Sequence, residues 1–253
     1  RALRRIFTHR GFLKKALRSG APSAYGMKTM MYGVLLPGPV IYNKCSAIMK
    51  EAEAEGHEVG IHAWNHVNWH DFLKGSDIGF AKSELGQAAK AFLEVFGRLA
   101  TTTAAPGWTV SPESLELQDQ MNLSYCSDCR GSSPFYPVFE NIRFNTLQIP
   151  TTLPTADELL GRDGLTADAL PEYYMEHLKP GHNVLTIHTE LEGGVINASF
   201  DRLLALLAES GIPCITMAEA RAGITEAPAC NMAMGMIEGR SLPVALQGEE
   251  VPL

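Results

Sequence analysis

A regular alternation of predicted helices and strands, from about residue 43 to residue 216, most constrains the fold of this chain. The patterns of apolar residues and the helix-ending glycines predict helices over 43–55, 77–96, 112–120, 166–178 and 200–210. Strands are predicted over 58–61, 99–105, 123–126, 183–187 and 212–216. Consecutive parallel strands need long crossover connections, so the alternation favours an α/β fold with a parallel sheet.

Length and composition predict one large domain with shorter segments at either side. The 253 residues are 45% hydrophobic, which is enough for a substantial core and is typical of α/β barrels. We assign residues 1–20 to a basic amphipathic segment and 21–222 to the main domain. Residues 223–253 show no clear periodicity and are expected to form a loosely attached tail. The odd number of cysteines, five, favours a reducing compartment.

The first 18 residues are strongly basic, whereas the rest of the chain is acidic. They hold seven Arg or Lys residues and no acid, and subtracting these charges from the overall −7 leaves −14 for the remainder. Apolar residues recur between the charges at helical spacing, which predicts a segment that lies on an anionic membrane surface. A solvated helix packed on the domain is the alternative. The acidic remainder argues against nucleic acid as a partner.

Two histidines four residues apart, His62 and His66, are the first candidate for a functional site. We expect them to lie on one helical turn directly after the strand 58–61, where two imidazoles can converge on a divalent metal. This arrangement predicts metal-assisted hydrolysis. His66 and His70 have the same spacing, which shows how easily the pattern arises by chance.

Further polar clusters follow other predicted strands. They begin at Pro106, Ser127 and His188, each at the end of a strand. If the sheet closes into a barrel, the ends of parallel strands meet at one rim, so these clusters and the paired histidines are expected to gather there.

The clusters together resemble the ordered motifs of the polysaccharide deacetylase (NodB-like) family. The matching runs are His62-x-x-x-His66, Ala104-Ala105-Pro106-Gly107-Trp108, Tyr125-Cys126-Ser127-Asp128-Cys129-Arg130-Gly131, Gln148-Ile149-Pro150 and Leu185-Thr186-Ile187-His188. The resemblance covers residues 1–222. The Ser-Asp-Cys-Arg-Gly and Gln-Ile-Pro runs are the narrowest signals, and they are similar to the branch of the family that acts on lipid-linked sugars.

This resemblance implies a distorted (β/α)7 barrel and an amide hydrolase that depends on a divalent metal. The implied metal is Zn²⁺, with Mn²⁺, Co²⁺ or Ni²⁺ as alternatives, and its implied ligands here are His62 and His66. The implied reaction removes formyl from an amino sugar, 4-formamido-arabinose, linked to undecaprenyl phosphate at the cytoplasmic face of the bacterial inner membrane. Such a reaction belongs to lipid A modification and polymyxin resistance. Deacetylation of another N-acylated glycan, or sugar or lipid binding without catalysis, are the alternatives.

The resemblance also implies roles for four further residues. His188 would protonate the leaving amine, and the backbone amide of Gly107 would stabilise the oxyanion, unless Pro106-Gly107 is an ordinary turn. Asp128 would orient His188 or form a purely structural salt bridge with Arg130. Arg130 would orient the catalytic base or bind the substrate phosphate.

One departure from the family pattern concerns its first motif, an aspartate pair that supplies the base and the third metal ligand. No strand with such a pair precedes the basic segment. We therefore expect the first strand–helix–strand unit of the barrel to be missing, and the chain as given to be weakly metallated and inactive. A parent protein with these aspartates is expected to be active.

Overall fold

A computed structural model describes residues 39–252, so the basic segment predicted over 1–20 lies outside the described residues. The helices and strands are α1 (Ile41–Lys44), α2 (Ser46–Ala54), α3 (His66–Phe72), α4 (Ile78–Phe96), β1 (Thr102–Thr103), α5 (Pro112–Gln120), β2 (Tyr125–Cys126), β3 (Tyr136–Phe139), β4 (Ile142–Arg143), α6 (Ala156–Leu159), α7 (Leu170–His177), α8 (Asn197–Glu209), α9 (Met217–Gly223), β5 (Ala229–Gly235) and β6 (Val244–Glu250). Short 3₁₀ turns cover Pro106–Trp108 and Ala167–Ala169, and a π-helical turn covers Leu191–Val195.

The described residues divide into two compact units. The larger unit contains residues 40–151, 215–235 and 243–252, and the smaller contains 152–214 and 236–242 with residue 39. Each unit has its own buried apolar cluster. The larger cluster includes Trp69, Leu73, Leu115 and Phe135, and the smaller includes Leu170, Tyr174 and Leu203.

A short parallel layer in the larger unit joins four chain segments side by side. Ile61 pairs with Thr103, β1 pairs with β2, and Cys126 in β2 pairs in turn with Gln148. All of these pairings are parallel, so the segments end at the same edge. The predicted strands over 58–61, 99–105 and 123–126 thus exist only as short pairings. Their parallel direction agrees with the prediction.

Helices α4 and α5 each begin after a residue whose side chain caps them. Ser111 accepts a hydrogen bond from the Ser114 amide, and α5 follows with proline at its first position. Helix α4 also forms, and its cap is Asp77, whose carboxylate accepts a hydrogen bond from the Phe80 amide.

The chain beyond residue 223 is not the loosely attached tail that we expected. Strands β5 and β6 pair antiparallel, and β5 also pairs parallel with β3 in a four-stranded sheet of order β4-β3-β5-β6. Cys230, Met232 and Ala245 from these strands are buried in the core of the larger unit. Apolar and polar side chains do not alternate clearly in this segment, so the tertiary pairing decides its structure.

The smaller unit is helical around its own core, and α7 and α8 lie close to the predicted 166–178 and 200–210. The strand predicted over 183–187 does not form, since the backbone pairing of this segment is limited to Val184 with Thr152 and Leu153. Residues 212–216 are likewise not a strand. Thr216 instead caps α9, accepting a hydrogen bond from the amide of Glu219. Among the described residues, no helix is long and apolar enough to cross a bilayer.

The architecture is α/β, as predicted. Within residues 39–252 the strands do not close into a complete barrel, which agrees with the distorted form that the family resemblance implies. The arrangement matters for function because the short parallel layer brings the ends of its segments, and the polar residues that follow them, to one edge.

Candidate active site

The paired histidines lie at the start of helix α3, although they are not on one helical turn as predicted. His62 comes directly after Ile61, which belongs to the parallel layer, and lies before the helix. His66 is the first residue of α3. Between them, Ala63 takes a positive φ of 54° and Asn65 caps the helix through its side chain. This tight turn brings the ring centroids of His62 and His66 to 5.2 Å.

The geometry of His62 suits a metal ligand. Its Nδ1 lies 2.6 Å from the carbonyl oxygen of Ala104, so Nδ1 carries the proton and Nε2 carries the lone pair. Both histidines are exposed, and a neutral imidazole is a common ligand of Zn²⁺ and related metals. The two side chains therefore fit a divalent cation. No group of three or more His, Cys, Asp or Glu side chains suited to a metal occurs among residues 39–252.

A buried carboxylate holds the turn between the two histidines. Glu84, on the buried face of α4, accepts a hydrogen bond of 2.7 Å from the backbone amide of Asn65 and is only 5% exposed. The sequence analysis missed this residue. Its position among apolar residues on the inner face of an amphipathic helix is the one signal that could have indicated it, because a buried charge needs a partner.

Gly107 lies in the turn after β1, where it was predicted to present its backbone amide. It adopts φ 61° and ψ 23°, a left-handed conformation that favours glycine. The turn is fixed from helix α3, since the indole nitrogen of Trp69 donates a 2.8 Å hydrogen bond to the carbonyl of Thr109. Trp69 is 1% exposed.

Asp128 follows β2 and is completely buried. Gln148 fixes it twice, by accepting from the Asp128 amide at 3.0 Å and donating to Oδ2 at 3.2 Å. Its other oxygen, Oδ1, is buried and has no hydrogen-bond partner within the described range. Burial raises the pKa of Asp128 to about 6, against the opposing effect of the Gln148 hydrogen bond. Asp128 is thus a carboxylate that changes charge close to neutral pH.

Arg130 is held by an aromatic ring and by backbone hydrogen bonds. Its guanidinium carbon lies 4.9 Å from the centre of the Trp108 ring, and its Nε donates to the Thr151 carbonyl at 3.4 Å. The roles predicted for Arg130, and its alternative of a structural salt bridge with Asp128, stay predictions.

The hairpin of β5 and β6 supports the Arg130 segment directly. The Arg130 amide donates to the Ala245 carbonyl, and the Arg130 carbonyl accepts from the Gln247 amide, both at 2.8 Å. The side-chain oxygen of Gln247 accepts from the amides of Ser132 at 2.7 Å and Ser133 at 3.3 Å. No local sequence pattern indicates this contact, because Gln247 lies more than a hundred residues further along the chain.

His188 belongs to the smaller unit, whereas the other predicted site residues belong to the larger one. Its backbone amide donates a 2.8 Å hydrogen bond to Glu192, a carboxylate whose pKa burial raises. The ring atom Nδ1 is buried and makes no hydrogen bond with any residue that the structure describes. His188 and Asp128 belong to different units, and their pairing stays a prediction.

Two cysteines of the larger unit are packed in its core. Cys126 and Cys129 are fully buried free thiols, and burial raises the pKa of both well above the ordinary value. Trp69 and Trp108 are buried in the larger unit. Trp64 is 40% exposed, with its ring 5.8 Å from that of Tyr42.

The fold is similar to that of solved proteins of the polysaccharide deacetylase class. A solved structure from Pseudomonas aeruginosa PAO1, described as a "probable Polysaccharide deacetylase", superimposes with a TM-score of 0.57 at 15% identity, covering 71% of this chain and 63% of that one. The family model named polysaccharide deacetylase matches residues 25–126.

Two relatives are similar over most of the chain, and both are named "Probable 4-deoxy-4-formamido-L-arabinose-phosphoundecaprenol deformylase ArnD". The relative from Shewanella sediminis is 36% identical over 82% of this chain and 67% of its own length. The one from Wigglesworthia glossinidia brevipalpis is 31% identical over 79% of this chain and 71% of its own length. The chain belongs to the polysaccharide deacetylase family.

Proposed function

We propose that this protein, as its source organism makes it, hydrolyses the formamide of a 4-formamido-arabinose linked to undecaprenyl phosphate, releasing formate and the free amine. The observation that carries the proposal is that His62 and His66 lie close together, with ring centroids 5.2 Å apart, next to the turn that contains Gly107. The names of the two relatives supply the substrate, and the narrow Ser-Asp-Cys-Arg-Gly run supports the same branch.

His62 and His66 are proposed to hold a divalent cation, with Zn²⁺ first and Mn²⁺, Co²⁺ or Ni²⁺ as alternatives. Membership in a metal-dependent family supports this assignment. The hydrogen bond between His62 Nδ1 and the Ala104 carbonyl also supports it, because it leaves Nε2 for the metal. When bound, such a cation polarises the substrate carbonyl and lowers the pKa of water.

The other residues are proposed to handle charge and protons during hydrolysis. The Gly107 amide stabilises negative charge on the formyl oxygen, since a backbone N–H fixed in a tight turn needs little reorganisation. His188 protonates the departing amine nitrogen, and Asp128 orients the His188 ring.

Arg130 is proposed to bind the phosphate that links the sugar to the lipid. Its stacking on Trp108 and the backbone pairing on both sides fix the guanidinium, and a fixed guanidinium is well suited to phosphate. Orientation of a catalytic base is the alternative role. An Arg130→Lys variant separates the two. It should raise KM for the phosphate-linked sugar if Arg130 binds phosphate, and lower kcat if it orients the base.

The decisive test measures formate release and bound metal on the protein as its source organism makes it. We expect His62→Ala and His66→Ala to lose the metal, measured by native mass spectrometry, and to lose turnover with it. His188→Ala should keep the metal and lose turnover. Retained turnover in His188→Ala would refute its role as the acid.

Two further outcomes of the same test distinguish the alternatives. Acetate release from an N-acetylated oligosaccharide, without formate release from the lipid-linked sugar, would indicate another glycan deacetylase. Tight binding of the lipid-linked sugar without any turnover would indicate a protein that binds and does not catalyse.

A further inference from the structure

Helix α3 contacts the turn around Gly107 through a residue to which no role has yet been given. His70 follows His66 by one helical turn, and the two imidazoles are nearly parallel, with centroids 6.5 Å apart and planes at 12°. The side chain of His70 is 10% exposed, so it is packed inside the larger unit. His70 therefore faces the interior next to a proposed metal ligand.

The imidazole of His70 lies directly on Gly107. A Cβ atom placed on Gly107 would be 2.2 Å from Cδ2 of His70 and 2.7 Å from its Nε2. Real Cβ atoms do not approach other atoms this closely, so the position accepts only a residue without a side chain while His70 stays in place. The ring thus covers the Cα side of the turn that presents the Gly107 amide.

Another glycine of the same unit separates this contact from the effect of backbone conformation. Gly97 also has a left-handed backbone, with φ 69°, but a Cβ placed there would meet nothing within 4 Å. Alanine at Gly97 would therefore cost only the left-handed strain, whereas alanine at Gly107 would add a collision with His70.

The same helix holds the far side of the turn, which restricts how His70 can respond. Trp69 donates its indole hydrogen bond to the carbonyl of Thr109, two residues after Gly107. His70 and Trp69 are adjacent, so a shift of α3 that relieved a collision at Gly107 would break the buried Trp69 bond. The turn and the helix are thus fixed to one another at two points.

We propose that His70 is a positioning residue that packs against Gly107 and fixes the direction of its backbone amide relative to His66. This inference rests on the proposed hydrolytic function, in which the Gly107 amide faces the developing oxyanion. It explains why one short helix contains both a metal-ligand candidate and the side chains that hold the neighbouring turn.

A double-mutant cycle tests the proposal in turnover. Gly107→Ala should lower kcat by about 100-fold, and His70→Ala by about 10-fold with KM changed less than about 3-fold. The kcat of the double variant should fall by no more than about 100-fold, because the alanine side chain at position 107 has no His70 ring to collide with. Losses that multiply to about 1,000-fold would overturn the proposal. His57→Ala, at an exposed histidine of the same unit, is the control and should leave kcat unchanged.

Thermal unfolding gives a second cycle that separates the collision from the strain. Gly97→Ala should lower Tm by about 2–4 °C. Gly107→Ala should lower it by clearly more in the wild-type background, but by about the same 2–4 °C in the His70→Ala background. Equal shifts for the two glycines in the wild-type background would show that His70 does not restrict Gly107.

A measurement that needs no turnover keeps this inference separable from the proposed function. In ¹⁵N-glycine-labelled protein, the Gly107 amide signal is assigned as the one that Gly107→Ala removes. His70→Ala should move that signal by more than its line width, whereas His57→Ala should not; an unmoved signal would overturn the proposal. A moved signal in a protein that releases no formate would refute the proposed function and leave the contact standing.

Discussion

At the scale of single residues, the most unusual group is the carboxyl of Asp128. It is fully buried, and the raised pKa of about 6 follows from the loss of solvation. A carboxylate kept in such a place, with one oxygen that has no partner among the described residues, reduces stability when it is charged. It is therefore more readily explained by function than by folding.

The raised pKa of Asp128 predicts a specific dependence of stability on pH. Between the ordinary Asp value of 3.8 and about 6, the folded chain binds more protons than the unfolded chain, so this group lowers stability as pH rises. Asp128→Asn removes the effect. Its free energy of unfolding relative to wild type should increase from pH 4 to pH 7 by up to about 3 kcal/mol, measured by urea unfolding.

An exposed carboxylate provides the control for this prediction. Asp201→Asn, on the exposed face of α8, should show no such pH-dependent difference from wild type. A constant difference between Asp128→Asn and wild type across the range would contradict the raised pKa. The variant should also lose turnover if Asp128 orients His188.

At the scale of elements, helix α4 stabilises the turn of the paired histidines through Glu84. Replacing Glu84 by leucine leaves the Asn65 amide without its acceptor, so we expect a loss of about 1–3 kcal/mol in stability. Zn²⁺ affinity, measured by calorimetry, should fall by about 10- to 100-fold because the His62–His66 turn loosens. Glu84→Gln keeps an acceptor oxygen and should lie close to wild type. Equal affinities for the two variants would show that the carboxylate does not support the turn.

The hairpin of β5 and β6 makes a similar prediction for the Arg130 segment. Gln247→Leu removes the oxygen that accepts from the Ser132 and Ser133 amides. We expect a higher KM for the phosphate-linked sugar and a stability loss of about 1–2 kcal/mol. Gln87→Leu, on the exposed face of α4, is the matched control and should change neither value. An unchanged KM for Gln247→Leu would show that the hairpin supports the fold only.

At the scale of the whole molecule, the basic segment over residues 1–20 and the acidic remainder predict attachment to an anionic membrane surface. Each basic residue near such a surface contributes about 1 kcal/mol. Co-sedimentation should therefore detect binding to vesicles that contain phosphatidylglycerol, weaker binding at high salt, and little binding to phosphatidylcholine alone. Such binding would support the predicted location at the cytoplasmic face of the inner membrane.

Charge reversal in the basic segment tests the attachment. A variant with Arg4→Glu, Arg5→Glu, Lys14→Glu and Lys15→Glu should lose vesicle binding, whereas Lys82→Glu with Lys90→Glu on α4 should not. Equal loss in both variants would mean that overall charge, and not this segment, determines binding. Undiminished binding of the first variant would refute the role of the segment.

The sequence by itself determined the family, the α/β class and most helices, and it supplied the candidate site residues. These follow from local information: the period of apolar residues, capping side chains such as Ser111, and short motifs such as His62-x-x-x-His66. Local patterns also predicted the parallel direction of the short strands, since helical crossovers separate them along the chain.

Only the tertiary structure decided which distant residues hold the site together. Side-chain contacts join segments that no local sequence pattern relates. These are the contacts of Glu84 with the Asn65 amide, His70 with Gly107, Gln148 with Asp128 and Gln247 with Ser132. The sequence analysis missed the strand pairing of residues 229–250. It also wrongly predicted strands over 183–187 and 212–216. The stability of a short strand depends on the backbone partners that the fold supplies, and its own sequence does not specify them.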